Sequence, residues 1–344
     1  MHGKMTTLSL ANACLREIPD FIQIPFENIN LKGNRLTSLD GIPATVKHLD
    51  VSYNSLYTDG ILSEPLIHLE SLKASHNHIC IPFTEQFILL YPSLKILNLS
   101  FNNLQVVGFL RDSSVEELTV THNKLHLLSG LPLTLKKLIA DTNHINMIQS
   151  KLPPFLESID VTYNSLRFAG LPLSWPTTLK ELHLDHNRIE QFPRKLPDSL
   201  EVLTLNENKI TELPKILPEK LRIFSVCDNR IQYLPNYKNH KKFQLFLIKN
   251  NCITEVPREF QATVFSAEEN WNTLQHATAQ TIIKRCWKRH VITLRLRHLL
   301  RTQKYKEELF MVSMMPERWE QIDSLDPVWF RKSRDRNRTD HPKD

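Results

Sequence analysis

The segment Leu196–Pro214, LPDSLEVLTLNENKITELP, spaces its apolar positions unevenly. They follow neither the alternation of a half-buried strand nor the steady threes and fours of a helix. Its core, L-x-L-x-x-N-x-L with any aliphatic residue or Phe in place of Leu, recurs along the chain. The asparagines are Asn34, Asn54, Asn77, Asn102, Asn123, Asn143, Asn164, Asn187, Asn208, Asn229 and Asn251, at steps of 20 to 25 residues. One earlier copy, LSLANACL, carries Ala13 at the asparagine position, which makes twelve units.

The two leucines of L-x-L point to one face of a short strand and the x residues to the other. One such strand cannot bury its leucines alone. Stacked on its neighbours at about 4.8 Å, it forms a parallel sheet along the inside of a coil. The asparagine comes where the chain turns off the strand. Its amide donates and accepts, so it can pair with backbone groups of adjacent turns that would otherwise be buried and unpaired.

A proline precedes the asparagine by eleven residues in six copies, Pro43, Pro132, Pro153, Pro176, Pro197 and Pro218. Proline fixes φ and cannot sit inside a helix, so the outer path of these units is predicted to be extended or 3₁₀. The longer steps, Asn54 to Asn77 and Asn77 to Asn102, leave room for a helical turn, at FTEQFILLYP for one.

The repeated core resembles that of leucine-rich repeat proteins over residues 5–257. The proline-containing LPxxL units are similar to those of bacterial type III secreted effectors and of large-DNA-virus proteins. The resemblance implies an α/β solenoid, a leucine-rich repeat horseshoe with a parallel concave sheet and a mostly non-helical convex side. It also implies a non-enzymatic scaffold that binds a partner protein through the concave face.

The residue just before each asparagine is assigned to that concave face. Tyr53, His76, Phe101, His122, Tyr163 and His186 fall in this column, interrupted by Thr142. Stacked turns bring such rings into one stripe, and stiff rings with a polar edge suit a protein-binding surface. These six residues are the partner-binding candidates, although rings at this position also pack simply against neighbouring turns. His76, His122 and His186 are not in adjacent units, which argues against zinc. The residue after the asparagine is often basic, at Arg35, Lys124, Arg188, Lys209 and Arg230, with His78 and His144. This column is expected in solvent, or against an acidic partner. Asp141, Asp160 and Asp185 fall on or beside strands as possible counter-charges. No nucleophile–base arrangement is legible, so no catalytic, cofactor or metal site is assigned.

Composition divides the chain. Its formal net charge is +6. Residues 1–270 hold 27 Lys/Arg and 28 Asp/Glu, whereas residues 271–344 hold 16 and 9. The tail alone is basic. The 5 cysteines are scattered without metal-ligand spacing. No apolar run approaches the length of a membrane span, and the first twenty residues lack the apolar stretch of a signal peptide. An intracellular, cytoplasmic and reducing setting is the expectation, with the sequons at Asn98 and Asn337 read as chance.

Residues 266–330 are expected to form a basic helical cap or tail, and residues 331–344 to be disordered. SAEE at Ser266–Glu269 fits a capping box. Trp271, Leu274 and Ala277 of the helix that follows are expected to cover the last repeat. Residues 284–306 then hold nine Lys/Arg and no acid. Ile283, Trp287, Val291 and Leu294 lie at helical spacing, and Trp287, Leu294 and Leu300 have the 1-8-14 spacing of calmodulin-target helices. AQTIIKRCWKR is similar to an IQ motif, with Lys284 in place of the glutamine and Arg289 in place of the glycine. The alternative reading is therefore a calmodulin-like partner at residues 283–300, or an anionic membrane or nucleic acid. The K-x-E-L and P-x-R pieces that follow are similar to tails of large-DNA-virus proteins. A ubiquitin-ligase effector is the remaining alternative. It is disfavoured because the tail is short and Cys286 is followed by Trp287 and Lys288, not by a Cys-x-Asp setting.

Overall fold

The computed structural model describes residues 7–19, 25–62, 65–80, 86–237 and 243–253, together with the backbone of residues 264–266. The chain divides into two compact units, Met1–Cys286 and Trp287–Asp344. The second unit lies outside the described residues, as do Glu269, Trp271, the basic stretch 284–306 and the segment 331–344.

Each L-x-L unit contributes one strand of three residues. They begin with β1 (Thr7–Ser9), β2 (Asn28–Asn30), β3 (His48–Asp50), β4 (Ser71–Lys73), β5 (Ile96–Asn98) and β6 (Glu117–Thr119). Two shorter strands, β7 (Leu127–Leu128) and β9 (Met147–Ile148), pair with each other in a small separate sheet. Between them in sequence comes β8 (Lys137–Ile139). The series continues with β10 (Ser158–Asp160), β11 (Glu181–His183), β12 (Val202–Thr204), β13 (Ile223–Ser225) and β14 (Leu245–Leu247). β15 (Val264–Ser266) closes it. Apart from β7 and β9, the strands form one 13-stranded sheet in sequence order. Every recorded pairing in it is parallel and in register, so Leu97 sits between Leu72 and Leu118.

β15 extends the sheet past residue 257, where the repeated core ends. It pairs with β14 and so satisfies an edge that would otherwise be open. Ser266, expected as a helix N-cap, is the last residue of that strand.

The leucines of successive turns stack into one continuous core. Leu69, Leu72, Ala74 and Ile79 of a single turn are all fully buried. At about 25 cal/mol per Å² of apolar surface removed from water, this stack is the main favourable term. It accrues only through neighbours, since no turn closes a core by itself.

The outer path is largely turn. Each of the six repeat prolines accepts a bond from the amide three residues on, as in Leu179 N to Pro176 O at 3.1 Å and Leu200 N to Pro197 O at 3.1 Å. Among the described residues the α-helical turns are α1 (Thr58–Ile61) and α2 (Gln86–Leu90). They fall in the steps Asn54–Asn77 and Asn77–Asn102, as expected, while the step Asn164–Asn187, as long as the first, carries a 3₁₀ turn at Phe168–Gly170. α1 lies against the preceding turn at Gly60, where a Cβ would stand 1.9 Å from the Thr37 carbonyl oxygen.

A charge column runs along the residue immediately before each strand. It reads Glu27, Lys47, Glu70, Lys95, Glu116, Lys136, Glu157, Lys180, Glu201, Arg222 and Gln244. The sign alternates from one turn to the next. Close pairs form at Lys47–Glu27 (3.2 Å), Lys136–Glu116 (2.6 Å), Lys180–Glu157 (2.8 Å) and Arg222–Glu201 (3.2 Å). The hydrogen bond from Lys136 holds the Glu116 carboxyl below its ordinary pKa, and Lys136 is raised in return. Exposed pairs of this kind contribute little each, because solvent and salt screen them. Lys136→Glu sets three carboxylates in succession and should lower stability. Lys136→Ala should cost less, and the difference should shrink in high salt. Urea unfolding of the full chain at two ionic strengths measures both.

Candidate functional site

The site is built on the turn that ends each strand. The residue before each asparagine has a positive φ in every repeat unit. Tyr53 (58°), His76 (53°), Phe101 (53°), His122 (52°), Thr142 (54°), Tyr163 (53°) and His186 (50°) occupy the left-handed region. So do Glu207, Asp228 and Asn250, and at the N-terminal end Asn12 and Gly33. An L-residue there is disfavoured by roughly 1–2 kcal/mol. A chain with only 7 glycines thus turns this corner with side chains that can pack.

The left-handed residue reverses the direction of the backbone bonds. Its own amide and the one two residues earlier donate to the following turn, as in His76 N to Ser100 O at 2.9 Å and Ala74 N to Asn98 O at 2.8 Å. Just after the asparagine they donate to the preceding turn, as in His78 N to Leu56 O at 2.9 Å. The asparagine sits at the reversal. Asn77 Oδ1 accepts from the Leu56 amide at 2.9 Å, and its Nδ2 donates to the carbonyls of Val51 and Ala74, both at 3.1 Å. The same set recurs through Asn251. Ala13 lacks such a side chain, and its own amide donates to Asn34 Oδ1 at 3.0 Å. Asn164→Ala removes the bonds to Ile145, Ala140 and Val161 and leaves buried groups unpaired. It should cost about 3 kcal/mol in urea unfolding, whereas Lys209→Ala, at an exposed position, should cost well under about 1 kcal/mol.

The candidate rings stand on this corner. They are three residues beyond the strand ends, Tyr53 after Asp50 and His76 after Lys73. This corrects their assignment to strand positions of the concave face. They form the rim at the strand exits, because the left-handed φ swings the side chain off the sheet. There they stack face to face. Centroids lie 4.0 Å apart for Tyr53–His76, 4.0 Å for His76–Phe101 and 4.2 Å for Phe101–His122, with interplanar angles of 13°, 11° and 17°. Thr142 interrupts the row, and Tyr163–His186 resumes it at 3.8 Å. Tyr53, Phe101 and Tyr163 remain 48%, 41% and 52% exposed. Lys32 lies 5.2 Å over the Tyr53 ring at one end, and His186 Nδ1 meets Glu207 at 2.9 Å towards the other.

The basic column after the asparagines, with His78 and His144, is exposed at all seven positions. Beside the four-ring stack this column reads Ser55, His78, Asn103 and Lys124, and it becomes continuously basic only at Arg188, Lys209 and Arg230. The three acidic candidates are engaged within the sheet. Asp141 accepts from Thr121 at 2.6 Å, Asp160 from the Thr162 amide at 3.0 Å and Asp185 from Thr204 at 2.6 Å. Among the described residues no three His, Cys, Asp or Glu gather as a metal site. Trp287, Leu294 and Leu300 lie outside the described residues. Of the concave-face positions, two, four and six residues before each asparagine, the sequence singled out only Asp141, Asp160 and Asp185. The others are visible there once the strand is placed.

This architecture is that of a leucine-rich repeat solenoid. No family model matches the chain. A curated relative, Protein PAC2 of Saccharomyces cerevisiae, is 28% identical over 175 residues, 47% of this chain and 33% of its own length. The chain thus spans about a third of that relative. Among solved structures, one match belongs to the octameric complex of latrophilin 3, Unc5D and the leucine-rich repeat protein FLRT2. Its TM-score is 0.60 at 21% identity, over 78% of this chain and 90% of that one. An internalin, InlF of Listeria monocytogenes, matches with TM-score 0.56 at 15% identity over 78% and 86%. A leucine-rich repeat protein of Leptospira interrogans matches at 0.52 and 21% over 82% and 94%. At these identities the likeness is one of fold. Among the described residues no helix is long and apolar enough to cross a membrane.

His76 is held between Tyr53 and Phe101. Burial first, then the charges of His122 and Lys32, lower its pKa from 6.5. The neutral ring is the favoured folded form. Its contribution is complete above pH 6.5 and is lost as pH falls through the lowered folded value. Acidifying from about pH 7.5 to about pH 5 should therefore lower the thermal midpoint of the unaltered chain more than that of His76→Phe. Calorimetry of the two chains in parallel measures the difference.

Proposed function

We propose that the chain is a non-enzymatic interaction scaffold, docking an extended segment of a partner protein along the ring row, with carboxylates of that segment near Lys124 and Arg188. The observation that carries this reading is the unbroken stack Tyr53–His76–Phe101–His122, exposed on one side and fixed by the backbone beneath. Rings already ordered lose little entropy on contact, so their apolar faces contribute nearly in full. The adjacent Lys124 and Arg188 supply long-range attraction for carboxylates and set the orientation of a bound segment. A fold neighbour solved together with other proteins agrees with a scaffold role.

Peptide-display selection against the immobilised full chain tests the reading. The recovered peptides should be rich in Asp and Glu around an apolar or aromatic anchor. Phe101→Ala should weaken them by about 10-fold or more. Arg188→Glu should weaken them mainly at low salt. Peptides that ignore both changes but are lost on replacing Glu117 or Glu181, on the sheet face, would move the docking surface back onto the strands.

A further inference from the structure

The ring row has one gap, and the gap has a defined shape. Asn123, Asn143 and Asn164 mark three consecutive turns, whose strands β6, β8 and β10 pair in register. The residues before them, His122, Thr142 and Tyr163, share one backbone conformation, with φ of 52°, 54° and 53°. Their corners are tied from turn to turn, His122 N donating to Asp141 O at 3.2 Å and Thr142 N to Thr162 O at 2.9 Å. Equal corners send their side chains out in the same direction, and the middle one of the three is not a ring.

Elsewhere in the row neighbouring rings are one turn apart, and their centroids stand 4.0, 4.0, 4.2 and 3.8 Å from one another. His122 and Tyr163 are two turns apart, so the row leaves the place of one ring between them. Thr142 fills only the base of that place, and its hydroxyl already donates to Asp141 Oδ2 at 3.2 Å. Each wall has one face covered, His122 by Phe101 and Tyr163 by His186. Exposure agrees with this. His76, covered on both faces, is half-buried, whereas His122, covered on one, is exposed. Tyr163 is 52% exposed, against 41% for Phe101, which has a ring on either side.

We infer that this slot takes one planar aromatic side chain of a partner protein, inserted between His122 and Tyr163 above Thr142. The row itself dictates the guest, since every other position in it from Tyr53 to His186 is a ring. A flat ring meets both faces, whereas a branched aliphatic chain is too thick to enter without parting them. The walls are already held by their own stacking partners, so little order is lost on entry beyond that of the guest. Lys124, exposed two residues past His122, favours carboxylates next to the aromatic residue in the partner's sequence. The inference rests on the scaffold reading for the guest being a protein side chain, and the slot itself does not depend on it.

Fluorine NMR of the full chain with a fluorinated N-acetyltryptophanamide tests the slot, with adenosine as a rival planar guest. The expected result is saturable binding of the indole with an upfield shift from the two ring faces. Thr142→Phe supplies the missing ring from within and should weaken this binding about tenfold or more, as loss of two stacking faces implies. Thr142→Ser should leave it unchanged. If thermal unfolding shows that Thr142→Phe does not fold, Tyr163→Leu takes its place and should weaken binding about threefold or more, through loss of one face. No saturable binding to the unaltered chain, binding that survives the ring-filling or wall-removing change, or preference for adenosine would overturn the inference. Display peptides separate the slot from the scaffold reading. Changing their aromatic residue to alanine should cost about tenfold on the unaltered chain and nothing on Thr142→Phe. An equal cost on both chains removes the slot and leaves the scaffold, while a bound indole with no peptide recovered leaves the slot and removes the scaffold.

Discussion

The constraint on which everything else depends is the reversal of backbone direction at the end of each strand. At each strand exit the amides donate forward to the following turn, and past the asparagine they donate backward to the preceding one. One residue has to absorb the change in the left-handed region, and the groups around it lose their regular partners. The asparagine repairs that loss with an acceptor toward one backbone amide and donors toward carbonyls of two turns. Without it, each corner would bury unpaired groups at about 1–3 kcal/mol apiece. The leucine stack supplies the bulk of the stabilisation, but the corner is what lets one strand follow another in register.

The surface chemistry follows from the same corner. A left-handed residue points its side chain off the sheet, and identical corners repeat at strand spacing. Rings placed there have no choice but to face one another, which yields Tyr53, His76, Phe101 and His122 as a row. Stacking of about 0.5–1.5 kcal/mol per pair offsets part of the backbone strain. Binding chemistry and structural economy therefore share the same atoms. The row is both a strut between turns and an exposed aromatic strip.

Much of the fold was legible because asparagine and leucine recur in phase, and both do so for reasons of hydrogen bonding and burial. The non-helical outer path was legible from Pro132, Pro176 and their counterparts. The ring row was recognised as a row, yet it was set on the wrong surface, because L-x-L fixes the strand and the residues after it have no alternation to follow. Only the φ values show that Tyr53 sits past the strand. The charge column before the strands was written plainly in Glu116, Lys136, Glu157 and Lys180, but it appears only when turns are aligned beneath one another. The low exposure of Ile223 and Leu245, 9% and 6%, was likewise hidden, since a strand apolar on both faces looks the same as one with a misplaced register.

The alternation of sign before each strand has a bearing on how such a coil can grow. Its true unit is a pair of turns, one acidic and one basic at the strand entry. Loss or gain of a single turn in the middle brings two carboxylates or two ammonium groups side by side, while exchange of a pair keeps every neighbour opposite in sign. The column thus works as a parity rule on the length of the solenoid, favouring duplications and deletions that proceed by twos.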